Sequence, residues 1–119
     1  REMKTVEIKW MTSLDAEAVR DAMEDACVDC YGEDEQCSGL TEMVGQELAF
    51  PFPAKVLGET VEVVDTIGSR HDAFGLDFVV VHKGKRYAVA VQSVELLDPL
   101  PEGHLYLGAL LEWKSRLSG

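Results

Sequence analysis

Hydrophobic residues follow two different periods in the first half of the chain. At Thr5–Trp10 they alternate with polar residues, which is the pattern of a short β-strand. Beyond Ser13, a suitable helix cap, they recur at three- and four-residue steps and predict a helix that ends near Gly32. The apolar face of this helix consists of Val19, Ala22, Met23, Ala26, Cys27 and Cys30.

A second helix is predicted to begin at three consecutive acids, Glu33, Asp34 and Glu35, which we call the acidic turn. The helix cannot continue into Phe50–Pro53, since a residue that precedes proline is pushed into an extended conformation. This proline-rich segment therefore separates a helical half from the rest of the chain. The buried stripe of the second helix is expected to consist of Leu40, Met43, Val44 and Leu48.

The second half of the chain reads as short strands joined by tight turns. Gly58 and Lys83-Gly84-Lys85 are the turn signals. The predicted strands are Ala54–Leu57, Glu59–Asp65, Leu76–His82, Arg86–Val91 and Val94–Leu96. Strands this short tend to close into a small barrel that hides their edges, and a helix over Glu102–Leu117 is expected to cover it. The sequence thus predicts one α+β domain, with a helical segment at 13–49, a small β-barrel at 50–98 and a closing helix at 102–117.

Charge narrows the range of partners. The formal net charge is −11, and residues 1–50 hold 13 acids against 4 bases. Such a field repels phosphate backbones and anionic lipid, which argues against nucleic acid or a membrane as partner and leaves cations or a basic protein. The N-terminus carries no apolar stretch typical of a signal peptide, so we expect a cytoplasmic protein with reduced thiols.

Carboxylates cluster near the junction of the two predicted helices. Asp25 and Asp29 precede the acidic turn, and clustered carboxylate oxygens suit Ca²⁺, which takes six to eight oxygens with loose geometry. The alternative is a solvated acidic face. The EF-hand pattern is absent, because aligning Asp29 with the first loop position places Leu40 where the loop requires its final glutamate.

The sequence offers little support for a zinc site or a catalytic site. Cys27-x-x-Cys30 and Cys37 lack the second ligand pair that a zinc site would use, so we expect them to pack in the core, reduced and free of metal. No nucleophile elbow, catalytic triad spacing or phosphate-binding glycine motif is present. The sequence therefore predicts a protein that is not an enzyme.

Two segments resemble a known family. Val28-Asp29-Cys30-Tyr31-Gly32 followed by the acidic turn, and then Leu48-Ala49-Phe50-Pro51-Phe52-Pro53-Ala54-Lys55, are similar to the small cyanobacterial-type calcium-binding proteins. The resemblance continues through Gly58–Val63, Gly84–Val89 and Leu110–Trp113. It implies a helical segment packed on a small SH3-like barrel, with Ca²⁺ held by surface carboxylates rather than by an EF-hand.

The resulting hypothesis is a cytosolic Ca²⁺ buffer or low-affinity sensor. The expected ligands are Asp29, Glu33, Asp34, Glu35 and Glu47, the last reaching in from the end of the second helix. The alternative is an SH3-like protein-interaction module without calcium binding, whose barrel or exposed acidic face binds a basic protein partner. A Ca²⁺ titration separates the two.

Overall fold

The computed structural model describes residues 10–11, 14–28, 30–69 and 75–118, and within them the chain forms three helices and five strands. The helices are α1 (Ala16–Ala26), α2 (Glu33–Glu47) and α3 (His104–Ser118). The strands are β1 (Phe52–Val56), β2 (Glu59–Gly68), β3 (Leu76–His82), β4 (Lys85–Ala90) and β5 (Glu95–Leu96). The predicted α+β class is confirmed. The strand expected at Thr5–Trp10 lies outside the described residues except for Trp10, which is buried.

The five strands form one antiparallel sheet with the order β4-β3-β2-β1-β5. After a short 3₁₀ turn at Val91–Ser93 the chain returns so that Leu96 pairs with Ala54 of β1. No pairing joins β4 to β5 within the described residues, so the sheet is open and the predicted closed barrel is not formed. β5 is only two residues long and pairs with β1 alone, so it adds no second ladder that would close the sheet.

Two-residue turns connect β1 to β2 and β3 to β4. Leu57 and Gly58 have φ of 51° and 80°, and Lys83 and Gly84 have φ of 53° and 78°. Positive φ at both central residues is the type I′ geometry, whose twist matches that of the flanking strands. Both turns were predicted from their glycines and are confirmed. Since β2 neighbours β3, the two turns lie at the same end of the sheet.

A β-bulge changes the alternation of side chains along β2. Val63 pairs with Val80 and Asp65 with Val79, so Val64 is the extra residue. Val61 and Val63 are buried before the bulge, whereas Asp65 is exposed after it. Strict alternation would place Asp65 on the face opposite Glu62. The bulge instead places both acids on the solvent face.

The ends of α1 differ from the prediction. Asp15 rather than Ser13 caps the helix, and its Oδ1 accepts a hydrogen bond of 3.0 Å from the Glu17 amide, while Ser13 lies outside the described residues. The helix ends at Ala26, well before Gly32. Gly39 of α2 packs against the Ala26 carbonyl so closely that a side chain there would collide with it. α2 thus contacts α1 at its last turn, where α1 ends earlier than predicted.

The core joins all three helices to one face of the sheet. Leu40, Val44 and Leu48 are buried as predicted, and Met43 is half-buried. Phe52 and Phe78 meet edge to face with ring centroids 5.9 Å apart. In α3 every residue from Leu107 to Leu111 is buried. No helix within the described residues is long and apolar enough to cross a membrane.

The segment before α3 packs directly on the end of α2. Gly103 has φ of 89°, and a Cβ at this position would collide with the backbone of Glu47 and Leu48. The Ala49 amide donates a hydrogen bond of 2.9 Å to the Glu102 carbonyl beside it. This close backbone contact requires glycine at position 103.

We expect Gly103→Ala to lower the free energy of unfolding by about 2 kcal/mol or more, because the left-handed backbone and the collision both oppose a side chain. Urea unfolding followed by tryptophan fluorescence measures the change. Gly68→Ala is the matched control, since a Cβ there meets no atom within 4 Å, and it should change stability by less than about 0.5 kcal/mol. Equal losses in the two variants would contradict the packing argument.

Candidate metal centre

The acidic turn forms the first turn of α2. Gly32 precedes it with φ of 90° and serves as the helix cap without a side chain. Because α1 has already ended at Ala26, the acids do not face the C-terminal carbonyls of α1 as a helix ending at Gly32 would require. They lie instead at the positive end of the α2 dipole, where carboxylates are stabilised.

The three carboxylates of the acidic turn are exposed and point in different directions. Consecutive helical residues are about 100° apart around the axis, so neighbouring side chains diverge. Glu35 also has a structural partner, because its Oε1 accepts a hydrogen bond of 3.2 Å from the Tyr31 amide. This contact resembles a capping box and holds Glu35 back towards the preceding loop. Glu33 and Asp34 are the two carboxylates left to face solvent.

The structure does not bring Glu47 to the acidic turn. Glu47 is the last residue of the 15-residue α2, which places it about 20 Å along the helix from Asp34. One ion cannot contact both positions, since Ca²⁺–oxygen distances are about 2.3–2.6 Å. Asp29 lies outside the described residues, so its place relative to the other predicted ligands stays a prediction.

Glu47 lies instead in the environment of Tyr106, together with Asp25. The Tyr106 hydroxyl donates a hydrogen bond of 2.8 Å to Asp25 Oδ2. This bond, partial burial, and the charges of Asp25 and Glu47 raise the pKa of Tyr106, in that order of importance. Asp25 and Glu47 each belong to the last turn of a helix that has no basic residue there. Both carboxylates therefore add to the negative ends of helix dipoles, where a cation is favoured.

This second pair of carboxylates was not apparent from the sequence. Asp25 and Glu47 are far apart along the chain, and only the packing of α1 and α2 against Tyr106 relates them. The lack of a basic residue in the last turn of either helix was the available signal. Within the described residues, no group of three or more His, Cys, Asp or Glu side chains is arranged to hold a metal ion.

The cysteines lie directly beneath the acidic turn. The Cys30 thiol is 3.3 Å from the Glu35 carbonyl, and the Cys27 thiol is 3.9 Å from the Gln36 carbonyl. No disulfide joins the three cysteines, all of which lie in the described part of the chain, and Cys37 is buried, whereas Cys27 and Cys30 are half-buried in the segment that follows α1. Burial first, then the charge of Cys30 and a hydrogen bond with its thiol, raise the pKa of Cys27. That the thiols bind no metal stays a prediction.

Comparison with known proteins finds the same fold elsewhere. No protein-family model matches this chain, and no curated protein matches it. The chain is similar to the crystal structure of Anabaena CcbP, with a TM-score of 0.68 and 20% sequence identity. The match covers 93% of this chain and 94% of the CcbP chain. At this identity the likeness shows the fold and not the site residues.

We expect Asp34→Asn with Glu35→Gln to lower the free energy of unfolding of the ion-free protein by roughly 0.5–2 kcal/mol. The substitutions remove two favourable charges from the α2 N-terminus and alter the Glu35 contact. Urea unfolding in the presence of a chelator tests this. Glu62→Gln with Glu95→Gln makes the same charge change at exposed sheet positions and should alter stability by less than about 0.5 kcal/mol. A gain of stability in the first variant would show that repulsion among the acids outweighs the dipole.

Proposed function

We propose that this protein binds calcium ions through surface carboxylates, as a buffer or low-affinity sensor, and has no catalytic role. The observation that carries the proposal is the fold shared with CcbP, a calcium-binding protein, over nearly the whole of both chains. The net charge of −11 and the crowding of acids into the helical half support it. Ca²⁺ suits such a surface because it accepts carboxylate, carbonyl and water oxygens in variable geometry.

The acidic turn, with Asp29 beside it in the sequence, is the proposed main site. Glu33 and Asp34 supply the free carboxylates, and Glu35 contributes its second oxygen while its first holds the Tyr31 amide. The dipole of α2 opposes a cation at this end, and the diverging side chains leave several positions to water. Both effects favour weak binding, which is consistent with a buffer or low-affinity sensor.

The carboxylates of Asp25 and Glu47 form a proposed secondary site. Both lie at helix C-termini, whose dipoles favour a cation, unlike the N-terminus at the acidic turn. The site offers only two carboxylates, however, and Asp25 already accepts a hydrogen bond from the Tyr106 hydroxyl. An ion held there would compete with that hydrogen bond. Ultraviolet titration of Tyr106 would then report on the site, because removal of the carboxylate charge lowers the pKa of the phenol towards its ordinary value.

A protein-interaction module is the second candidate function. Val28 and Tyr31 are 66% and 79% exposed in the loop between α1 and α2, immediately before the acidic turn. Exposed apolar side chains bordered by acids are a surface that a basic, partly apolar partner could cover. Such a module would show no saturable response to Ca²⁺ at an ionic strength that screens diffuse attraction.

Calcium should stabilise the folded state. At 100 times the dissociation constant, an ion that binds only the folded chain adds about 2.7 kcal/mol to the free energy of unfolding. For a domain of this size we expect a rise of roughly 10 °C in the melting temperature. Thermal unfolding followed by circular dichroism in about 150 mM salt measures the rise, with Mg²⁺ at equal concentration as control. An unchanged melting temperature at saturating millimolar Ca²⁺ would remove the basis for the proposal.

Neutralising each group of carboxylates separates the sites. We expect Asp34→Asn with Glu35→Gln to weaken calorimetrically measured Ca²⁺ binding at least about tenfold, equivalent to about 1.4 kcal/mol. Asp25→Asn with Glu47→Gln should weaken it less, and Glu62→Gln with Glu95→Gln should leave it within about twofold. If Glu62→Gln with Glu95→Gln lost as much Ca²⁺ affinity as Asp34→Asn with Glu35→Gln, the protein would attract Ca²⁺ only through its diffuse negative charge. If the Asp25 and Glu47 variant alone abolished binding, the main site would lie at the two helix C-termini.

A further inference from the structure

The outer edge of β4 presents unpaired backbone groups. The type I′ turn at Lys83-Gly84 makes His82 and Lys85 a hydrogen-bonded pair, and bonded pairs then alternate along the strands. Tyr87 and Val89 therefore bond to β3, whereas the N–H and C=O groups of alternate residues point away from it. These outward residues are Arg86, Ala88 and Ala90.

No described strand pairs with this edge. β4 is the last strand of the sheet, and its pairing with β3 is regular, without a bulge or a proline. The residues from Lys85 to Ala88 are exposed, including Tyr87 at 48%. A regular six-residue edge without a bulge or a proline offers a template for another extended strand, and Lys85 and Arg86, which repel a strand of like charge, accept an acidic one.

The charge at this edge is opposite to that of the protein as a whole. Lys83, Lys85 and Arg86 place three cations within four positions, in a chain with 22 acids and 11 lysines and arginines. All three are exposed, and within the described part of the chain none takes part in an ion pair. Ala88 and Ala90 follow Arg86 on the same face of the sheet and leave room for larger side chains from a neighbouring strand.

We propose that the outer edge of β4 binds an extended, acidic segment of a partner protein by strand addition. Main-chain hydrogen bonds to Arg86, Ala88 and Ala90 supply the binding, and the three cations select acids near one end of the guest. In an antiparallel register, acids lie opposite Lys85 and Arg86, and branched apolar residues lie opposite the two alanines. This surface is separate from the proposed calcium site, so either proposal can fail without the other.

The probe is the peptide acetyl-Thr-Val-Thr-Val-Thr-Glu-Glu-amide, which carries this pattern. Calorimetry should show saturable binding that weakens with added salt. Amide exchange followed by NMR should slow at Arg86, Ala88 and Ala90 and stay unchanged at Lys85, Tyr87 and Val89, which already bond to β3. The same peptide with two lysines in place of the glutamates should not bind.

Ala88→Pro removes an outward N–H without breaking a bond to β3, and it should abolish binding. Lys85→Glu with Arg86→Glu should weaken binding about tenfold, while Lys55→Glu on β1 should have little effect. If Ala88→Pro fails to fold, the Lys85→Glu and Arg86→Glu double variant still tests the proposal. The proposal is overturned if the acidic peptide does not bind at millimolar concentration, if exchange slows at other residues, or if sedimentation shows a dimer of the chain that Ala88→Pro dissociates.

Discussion

Burial of the middle of α3 on every side is the constraint on which the arrangement of the other elements depends. Five consecutive buried residues, from Leu107 to Leu111, cover all directions around a helix because each advances by about 100°. Gly108 within this stretch allows the Leu14 side chain to come close, and the Trp113 indole donates a hydrogen bond of 2.9 Å to Gln36 Oε1. Gln36 directly follows the acidic turn, so this hydrogen bond ties α3 to the start of α2.

The helix end at which each carboxylate lies determines whether it stabilises the helix or favours a bound cation. Those of the acidic turn stabilise the N-terminus of α2 and cap it through Glu35, so they contribute to folding whether or not an ion is bound. Asp25 and Glu47 oppose the dipoles of their own helices, and no basic residue in the same turn compensates them. A cation would therefore relieve more electrostatic repulsion at Asp25 and Glu47, although the acidic turn offers more carboxylate ligands.

Much of the fold follows from local patterns, whereas the site depends on contacts between distant segments. The strands and both type I′ turns were predictable because alternation and glycine act within a few residues, and Leu40, Val44 and Leu48 were predictable from helical spacing. The end of α1 was not predictable, since Gly32 is equally suited to end one helix or to begin the next. The open sheet and the proximity of Asp25 and Glu47 to Tyr106 arise from tertiary packing, which local periodicity does not encode.

The bulge at Val64 divides β2 into two parts whose side chains alternate independently. Residues 59–63 are in phase with the buried positions of β1, and residues 65–68 are in phase with the first half of β3. Regular pairing that kept Val64 would turn Asp65 and Ile67 towards the core and Thr66 towards solvent. Loss of the Val64 codon would instead restore regular alternation and leave these three side chains on the faces they occupy now. A one-residue deletion is thus far less damaging at the bulge than elsewhere in β2, where it would reverse the faces of the residues beyond it.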